Sequence, residues 1–323
     1  MVLFYNKEPG KGTKDLIDEK EYGDVCQTIR ELVQNGYEVM LYHQGFGETS
    51  IFLQVLYKYK EKKNKKLFVI TYAPTRTELL RACDCIDEVF EVPEEFYMAL
   101  CKDVPFRMEC DIKDFLTMHQ YDLDRTTLKT EVCDYLGIPK DTPYKNYHLP
   151  EVNANWEEYF AAKNLIVGKT VYIVPHAVFL GKVVKDDFWE KLILRLKEAG
   201  FTAILNLPEE TVPGVPFAYF DIIPSIRLAE MCGYVIGART GFTDLIAAFT
   251  DLPLQVIYPD DSHSSWEILK KYTWTEPVED HYAEKYMEST GLRTLFDRPG
   301  MKEHVYTTDG ELLDSILNTL LGK

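Results

Sequence analysis

The sequence has no stretch of about eighteen consecutive apolar residues and so offers no transmembrane helix. It has no Cys-x-x-Cys pair either. The seven cysteines stand at 26, 83, 85, 101, 110, 133 and 232, a spacing that suggests neither a zinc site nor a disulfide framework. Positive charge is short: Lys and Arg number 36 against 52 Asp and Glu, a formal net charge of −16. A protein that binds a nucleic-acid backbone needs clustered cations to displace counterions, so this balance argues against a nucleic-acid partner. No Gly-x-Ser-x-Gly elbow points to a hydrolase. His43, His119, His148, His263, His281 and His304 fall into no metal-ligand spacing. Met1 to Lys7 show no charged leader followed by an apolar core. These absences predict a soluble or peripheral protein in the reducing cytoplasm.

At 323 residues and 46% hydrophobic, the chain exceeds one comfortable core, so two α/β domains are expected. Val25, Ile29, Leu32 and Val33 share one face of a helix that Gly36 stops. Tyr37 to Tyr42 reads as a strand running into Gly45-Phe46-Gly47-Glu48-Thr49-Ser50 and a helix, and Leu67 to Thr71 and Val89 to Val92 read as further strands around a helix from Arg76 to Ala82. Polar helices around Ile112 to Met118 and Arg125 to Tyr135 form a cover. Asp141 to Asn155, with two prolines and four Asn or Asp, is the linker. Residues 1–155 and 156–323 are the expected domains. Beyond the linker, strands are expected at Val171 to Val174, Thr202 to Asn206, Phe217 to Phe220, Tyr234 to Gly237 and Gln255 to Tyr258. Helices are expected at Asp186 to Ala199, Ser225 to Met231 and Phe242 to Phe249, and at the C-terminal Leu312, Leu313, Ile316, Leu317 and Leu320. Such parallel sheets bind ligands beyond the strands' carboxyl ends.

Arg239-Thr240-Gly241-Phe242-Thr243-Asp244 lies between an apolar strand and an apolar helix, so its amides form an anion site at a helix amino terminus, with Arg239 as a fixed cation. The plainer reading is that Thr240 or Thr243 caps the helix and Arg239 is a surface residue. His176, with Gly181-Lys182 after it, also follows a strand, where Lys182 can neutralise a phosphate. Glu210 can accept from ribose hydroxyls or simply be solvated. Glu48 sits in a helix first turn, as a capping group or a general base. Gly45-Phe46-Gly47 is neither a Walker motif nor a dinucleotide fingerprint. Asp122-Leu123-Asp124, Asp186-Asp187 and Asp260-Asp261 read as polar cover, turn and cap residues, and no essential metal is expected. The lysines from Lys58 to Lys66 read as a solvated helix end complementing its dipole, or as a peripheral contact with anionic lipid at the inner membrane face.

Taken in order, four stretches resemble the heptosyltransferase-like GT-B glycosyltransferases of bacterial surface polysaccharide and lipopolysaccharide synthesis. They are Gly45-Phe46-Gly47-Glu48 with Leu67-Phe68-Val69-Ile70 and Cys85 to Val89; Leu136-Gly137-Ile138-Pro139; Val174-Pro175-His176-Ala177 with Lys182 and Phe188-Trp189; and Thr240 to Ala248. The resemblance implies a GT-B fold of two Rossmann-like domains facing a cleft. It implies transfer from a nucleotide-sugar donor to a glycan or lipid-linked acceptor, inverting and without a metal or other cofactor. Lys182 and the Thr240-Gly241 loop would hold the donor. Glu48 stands where the family carries an Asp that serves as base. Arg239 and Asp244 replace the family's Asp before Thr-Gly and its following His, so heptose specificity does not carry over. Two rival readings remain, a nucleotide-sugar epimerase and a non-catalytic partner protein of glycosyltransferase form.

Overall fold

The computed structural model describes residues 18–72, 74–114, 127–176, 184–259, 287, 291–296, 298–308 and 310–322. They fall into two compact units, the first holding residues up to 114 and 130–149, the second 127–129 and those from Pro150 on.

In the first unit, α1 (Glu19–Gln34) begins where the Asp18 carboxylate accepts the Lys20 and Glu21 amides at 2.9 and 3.1 Å. It ends at Gly36, whose φ of 86° is a left-handed turn. Strand β1 (Tyr37–Leu41), helix α2 (Phe46–Lys63), β2 (Lys66–Thr71), α3 (Pro74–Arg81) and β3 (Glu88–Glu91) follow, then α4 (Glu94–Lys102), α5 (Val104–Glu109), β4 (Lys113–Asp114) and α6 (Leu128–Leu136). The strands make one parallel sheet in the order β3-β2-β1-β4. Val39, Met40, Leu41 and Leu67 to Ile70 are buried, the continuous apolar run of a strand covered on both faces. A helix was expected from Ile112; instead Lys113 and Asp114 pair with Met40 and Leu41, and residues 115–118 of that expected helix lie outside the described residues. Pairing satisfies peptide groups that β1 would otherwise leave bare at its edge, which outweighs the weak local helical pattern.

The lysines that end α2 are held by the fold. Lys60 pairs with Asp87 at 2.8 Å, Lys62 donates to the Gly137 carbonyl at 2.5 Å, and Lys63 reaches buried Glu38 at 2.7 Å. Glu38 also accepts the Tyr59 hydroxyl at 2.5 Å. Burial pushes its carboxyl up, but the bonds from Lys63 and Tyr59 and the charges of Lys63 and Lys65 outweigh it and hold it below its ordinary value.

The second unit opens with α7 (Trp156–Ala162), capped by Asn155, and continues through β5 (Thr170–Val174), α8 (Asp186–Glu198), β6 (Thr202–Leu205), α9 (Ile222–Cys232), β7 (Gly233–Ala238), α10 (Gly241–Phe249), β8 (Leu254–Tyr258), α11 (Leu292–Phe296), β9 (Met301–Val305) and α12 (Glu311–Leu320). Its five parallel strands run β6-β5-β7-β8-β9. One face of the sheet carries a core of Val171, Ile173, Ile236 and Ile257 against Trp189, Leu192 and Leu196 of α8 and Ile316 of α12. The strand expected at Phe217 to Phe220 is only a bridge between Leu205 and Phe217. Beyond it the chain leaves the sheet, and Phe220 packs its ring on Trp156 and Tyr159 of α7, at 5.9 and 5.8 Å.

In each sheet the chain reverses its direction of growth at one place. After β5 it steps to β6 and then returns to the opposite side as β7; in the first sheet β2 and β3 lie on one side of β1 and β4 on the other. The carboxyl ends of β5 and β7, and those of β1 and β4, are therefore the places where an open parallel sheet has room for a ligand.

Candidate functional site

The β5–β7 reversal point collects most of the residues singled out from the sequence. Val174 and Gly237 are paired in register, so His176 and Arg239 each follow two residues beyond the last rung. Gly237 is needed for this closeness. A methyl group there would stand 2.7 Å from Val174 Cβ and 3.0 Å from its carbonyl oxygen, and 3.4 Å from Thr243 of α10. His176 is half-buried, while Lys182 lies outside the described residues.

Helix α10 starts with a capping box. The Thr240 hydroxyl accepts the Thr243 amide at 3.2 Å, and the Thr243 hydroxyl accepts the Thr240 amide at 3.0 Å while donating to the Thr240 carbonyl at 2.7 Å. Both hydroxyls are thus used by the backbone, as the capping reading has it. The amides of Gly241 and Phe242, first and second in the helix, have no acceptor within it by geometry. They stand at the positive end of the helix dipole. The Phe242 side chain is buried against Tyr172, ring centroids 5.7 Å apart.

Arg239 is not a surface cation. Its side chain is 7% exposed, and its Nη1 donates to the Asp244 carboxylate, itself 5% exposed, and to the Thr240 carbonyl at 3.4 Å. Its guanidinium stands 6.0 Å over the ring of Tyr258, whose hydroxyl donates to Glu303 at 2.5 Å. Burial raises the Tyr258 phenol well above its ordinary value, so it stays neutral. The pair of departures from the family pattern, Arg239 and Asp244, are therefore each other's partners. Glu210 follows β6 on the far side of β5 from β7; it is exposed, and its carboxylate accepts the Gly214 amide at 2.7 Å. Asp187 pairs with Lys191 at 2.9 Å in the first turns of α8, while Asp122, Asp124, Asp260 and Asp261 lie outside the described residues.

At the other reversal point, β1 leads through Tyr42, His43 and Gln44 to Gly45, the N-cap of α2. Glu48 is half-buried in the first turn, its carboxylate folded back so that a methyl group at Gly45 would lie 2.5 Å from Glu48 Oε2. Sequence reading passed over its neighbours. His43, 6% exposed, stacks on Tyr72 with centroids 4.0 Å apart, and His43 Nε2 shares a 2.6 Å hydrogen bond with the Tyr72 hydroxyl. Burial, then the Arg76 charge, lowers the imidazole to about 3. Arg76 donates Nε–H to the Gln44 carbonyl and lies 5.4 Å over the Phe46 ring. Nothing local marks these residues, because each partner comes from a different strand or helix.

No family model matches the sequence, and no curated protein matches it. Solved structures do. The ADP-heptose lipopolysaccharide heptosyltransferase II of E. coli superposes with a TM-score of 0.56 at 10% identity, over 88% of this chain and 99% of that one. A glycosyl transferase family 9 structure from Veillonella parvula gives 0.56 at 13% identity, over 89% and 98%. E. coli heptosyltransferase WaaC, solved with ADP, gives 0.52 at 11% identity, over 87% and 99%. This is the GT-B fold. Two parallel α/β sheets of the expected class are shared along nearly the whole of each compared chain. The α10 amino terminus and the α2 amino terminus belong to different units, each at its own sheet's reversal point.

Proposed function

We propose that this chain is a glycosyltransferase whose nucleoside-diphosphate sugar binds at the amino terminus of α10. The observation that carries the reading is the pair of amides, Gly241 and Phe242, that as first and second residues of α10 have no acceptor within the helix, at the β5–β7 reversal point. A diphosphate accepts from such amides and is favoured by the helix dipole. That E. coli WaaC, of similar fold, was solved with ADP supports a nucleotide ligand for this chain too. Buried Arg239 acts through Asp244, fixing the turn that presents the amides, while Lys182 supplies the cation and His176 borders the site. Amides and Lys182 then carry the charge that develops on the leaving diphosphate, so the reading needs no metal.

The acceptor is a glycan or a lipid-linked sugar, and Glu48 is the general base. Its carboxylate takes the proton of an acceptor hydroxyl as that oxygen bonds to the anomeric carbon; the bond from that carbon to the diphosphate breaks on the opposite side, inverting the centre and releasing nucleoside diphosphate. To do so Glu48 must swing off Gly45. We infer the cytoplasm as the place of the reaction, from the nucleotide-sugar donor that this reading requires. The test is thermal unfolding of the purified chain with ADP, UDP and GDP, followed by release of nucleotide from the matching nucleotide sugar with an acceptor present. A specific ligand at 100 times its Kd adds about 2.7 kcal/mol and raises Tm. No shift with any of the three overturns the donor site; a shift without acceptor-dependent release leaves a binding protein in place of an enzyme.

A further inference from the structure

A second cluster of reactive side chains lies outside either reversal point, in the turn between α3 and β3. Here the Ile86 amide donates to the Cys83 carbonyl at 3.1 Å, and this tight turn gathers Cys83, Asp84 and Cys85. Both sulfur atoms and a carboxylate oxygen lie within 4.8 Å of one another. The two thiols are nearly closed off, 2% and 5% exposed, while the Asp84 side chain is 64% exposed and opens the cluster to solvent. Two outer contacts come from one distant segment. The Tyr147 hydroxyl lies 3.1 Å from Cys85 Sγ, and Lys145 Nζ donates to both Asp84 oxygens at 3.0 and 2.8 Å.

We propose that Cys83, Asp84 and Cys85 form a binding site for a zinc-class cation, which fastens the α3–β3 turn to the segment 145–147. Two sulfurs and one carboxylate oxygen are a donor set that suits a four-coordinate d¹⁰ ion, with bonds of about 2.3 Å to sulfur and about 2.0–2.2 Å to oxygen. A modest contraction of the turn reaches those lengths, and a water completes the fourth position. Thiolates select such an ion over magnesium or calcium. The balance closes: the divalent ion displaces two thiol protons to solvent, and its charge is met by two thiolates and Asp84, with Lys145 offsetting the third negative charge. Lys145 and Tyr147 then become the outer partners that orient the ligands. The site is structural, remote in sequence from the residues assigned to sugar transfer, and independent of that assignment.

Cadmium titration of the reduced full chain tests it, read by the ultraviolet thiolate-to-cadmium absorption, with zinc competing for the same site. The expected result is one equivalent bound, absent in the Cys83→Ser/Cys85→Ser double variant and retained in Cys26→Ser. Asp84→Asn, at an exposed position that leaves the core intact, should weaken binding by at least the factor of about 10–100 that loss of an outer partner costs. No stoichiometric absorption in the wild type, an undiminished band in the double variant, or Asp84→Asn binding as tightly as wild type each overturns the site. If the double variant does not fold, the wild-type stoichiometry and Asp84→Asn decide.

Discussion

Arg239 and Asp244 form a buried ion pair that ties the end of β7 to the first turn of α10. Truncating one partner leaves the other charged in the interior. Asp244→Ala should therefore cost about 3–5 kcal/mol, whereas replacing both with apolar side chains of similar volume, Arg239→Met with Asp244→Leu, should recover most of that loss. Urea denaturation of the three chains measures it. A single variant that loses no more than a typical surface substitution, about 0.5 kcal/mol, would show that the pair does not hold the turn.

Acid should destabilise the first unit through His43 and Glu38. The His43 imidazole is held neutral, lowered to about 3, so the unfolded chain takes up its proton first; stability is whole above about 6.5 and falls as pH drops from there toward 3. Glu38 works in the same direction and lower down, because its lowered carboxyl contributes fully above its ordinary range and loses that contribution as pH falls through the folded value. His43→Phe, which preserves stacking on Tyr72, should flatten the upper part of this acid limb in Tm-against-pH measurements. An unchanged slope between pH 6.5 and 5 would remove His43 from the account.

These two sites also show what a sequence displays and what it conceals. Strands β1, β2, β5, β7 and β8 are legible because a strand covered on both faces is a continuous apolar run, as in Val171 to Val174. Strands β4 and β9 are not, because Lys113-Asp114 and Met301 to Val305 stand at sheet edges, where polar side chains are tolerated and only pairing to a distant strand decides the conformation. The turn proposed to bind the diphosphate is legible as a glycine between two threonines at a helix start. The fate of Arg239 is not, since a cation beside a helix terminus serves a ligand or a neighbouring carboxylate equally well until burial is known. His43 meets Tyr72 from the adjoining strand, so no spacing in the chain announces the contact. Cys83 and Cys85 escape a search for Cys-x-x-Cys by one residue, though a tight turn brings their sulfur atoms together as well.

Gly237→Ala should be poorly tolerated even though β7 is otherwise apolar. The added methyl meets Val174 Cβ at 2.7 Å and the Val174 carbonyl at 3.0 Å, so β5 or β7 must shift. Overpacking of this kind costs about 1–3 kcal/mol. Because the same methyl approaches Thr243, the shift should also reach α10 and weaken nucleotide binding. A variant with wild-type stability and binding would contradict the close approach.

Glu48→Gln separates capping from catalysis. Glutamine preserves shape and can still lie against Gly45, so stability should change by less than about 1 kcal/mol, while sugar transfer falls by about 10²-fold or more if the carboxylate is the base. Nucleotide affinity, assigned by the proposed function to the other unit, should be unchanged. Turnover within a few-fold of wild type would leave Glu48 as a cap alone.

Gly241→Pro removes a single amide hydrogen from the proposed diphosphate site and little else. Proline is tolerated as the first residue of a helix, where no intrahelical bond is lost. The residue before it must be extended, and Thr240 is, at φ −144° and ψ 161°. The capping box uses the amides of Thr240 and Thr243, so it survives the change. Restricting the unfolded chain should make the variant as stable as wild type or more so, by about 0.4–1 kcal/mol. Nucleoside-diphosphate affinity should nevertheless fall, because a hydrogen bond to a charged acceptor contributes about 1.5–3 kcal/mol, a loss of about tenfold to a hundredfold in Kd. Calorimetry with ADP, UDP or GDP on both chains reads this directly. Equal affinity with intact stability would mean that the α10 amides do not touch the diphosphate, whatever else the chain binds.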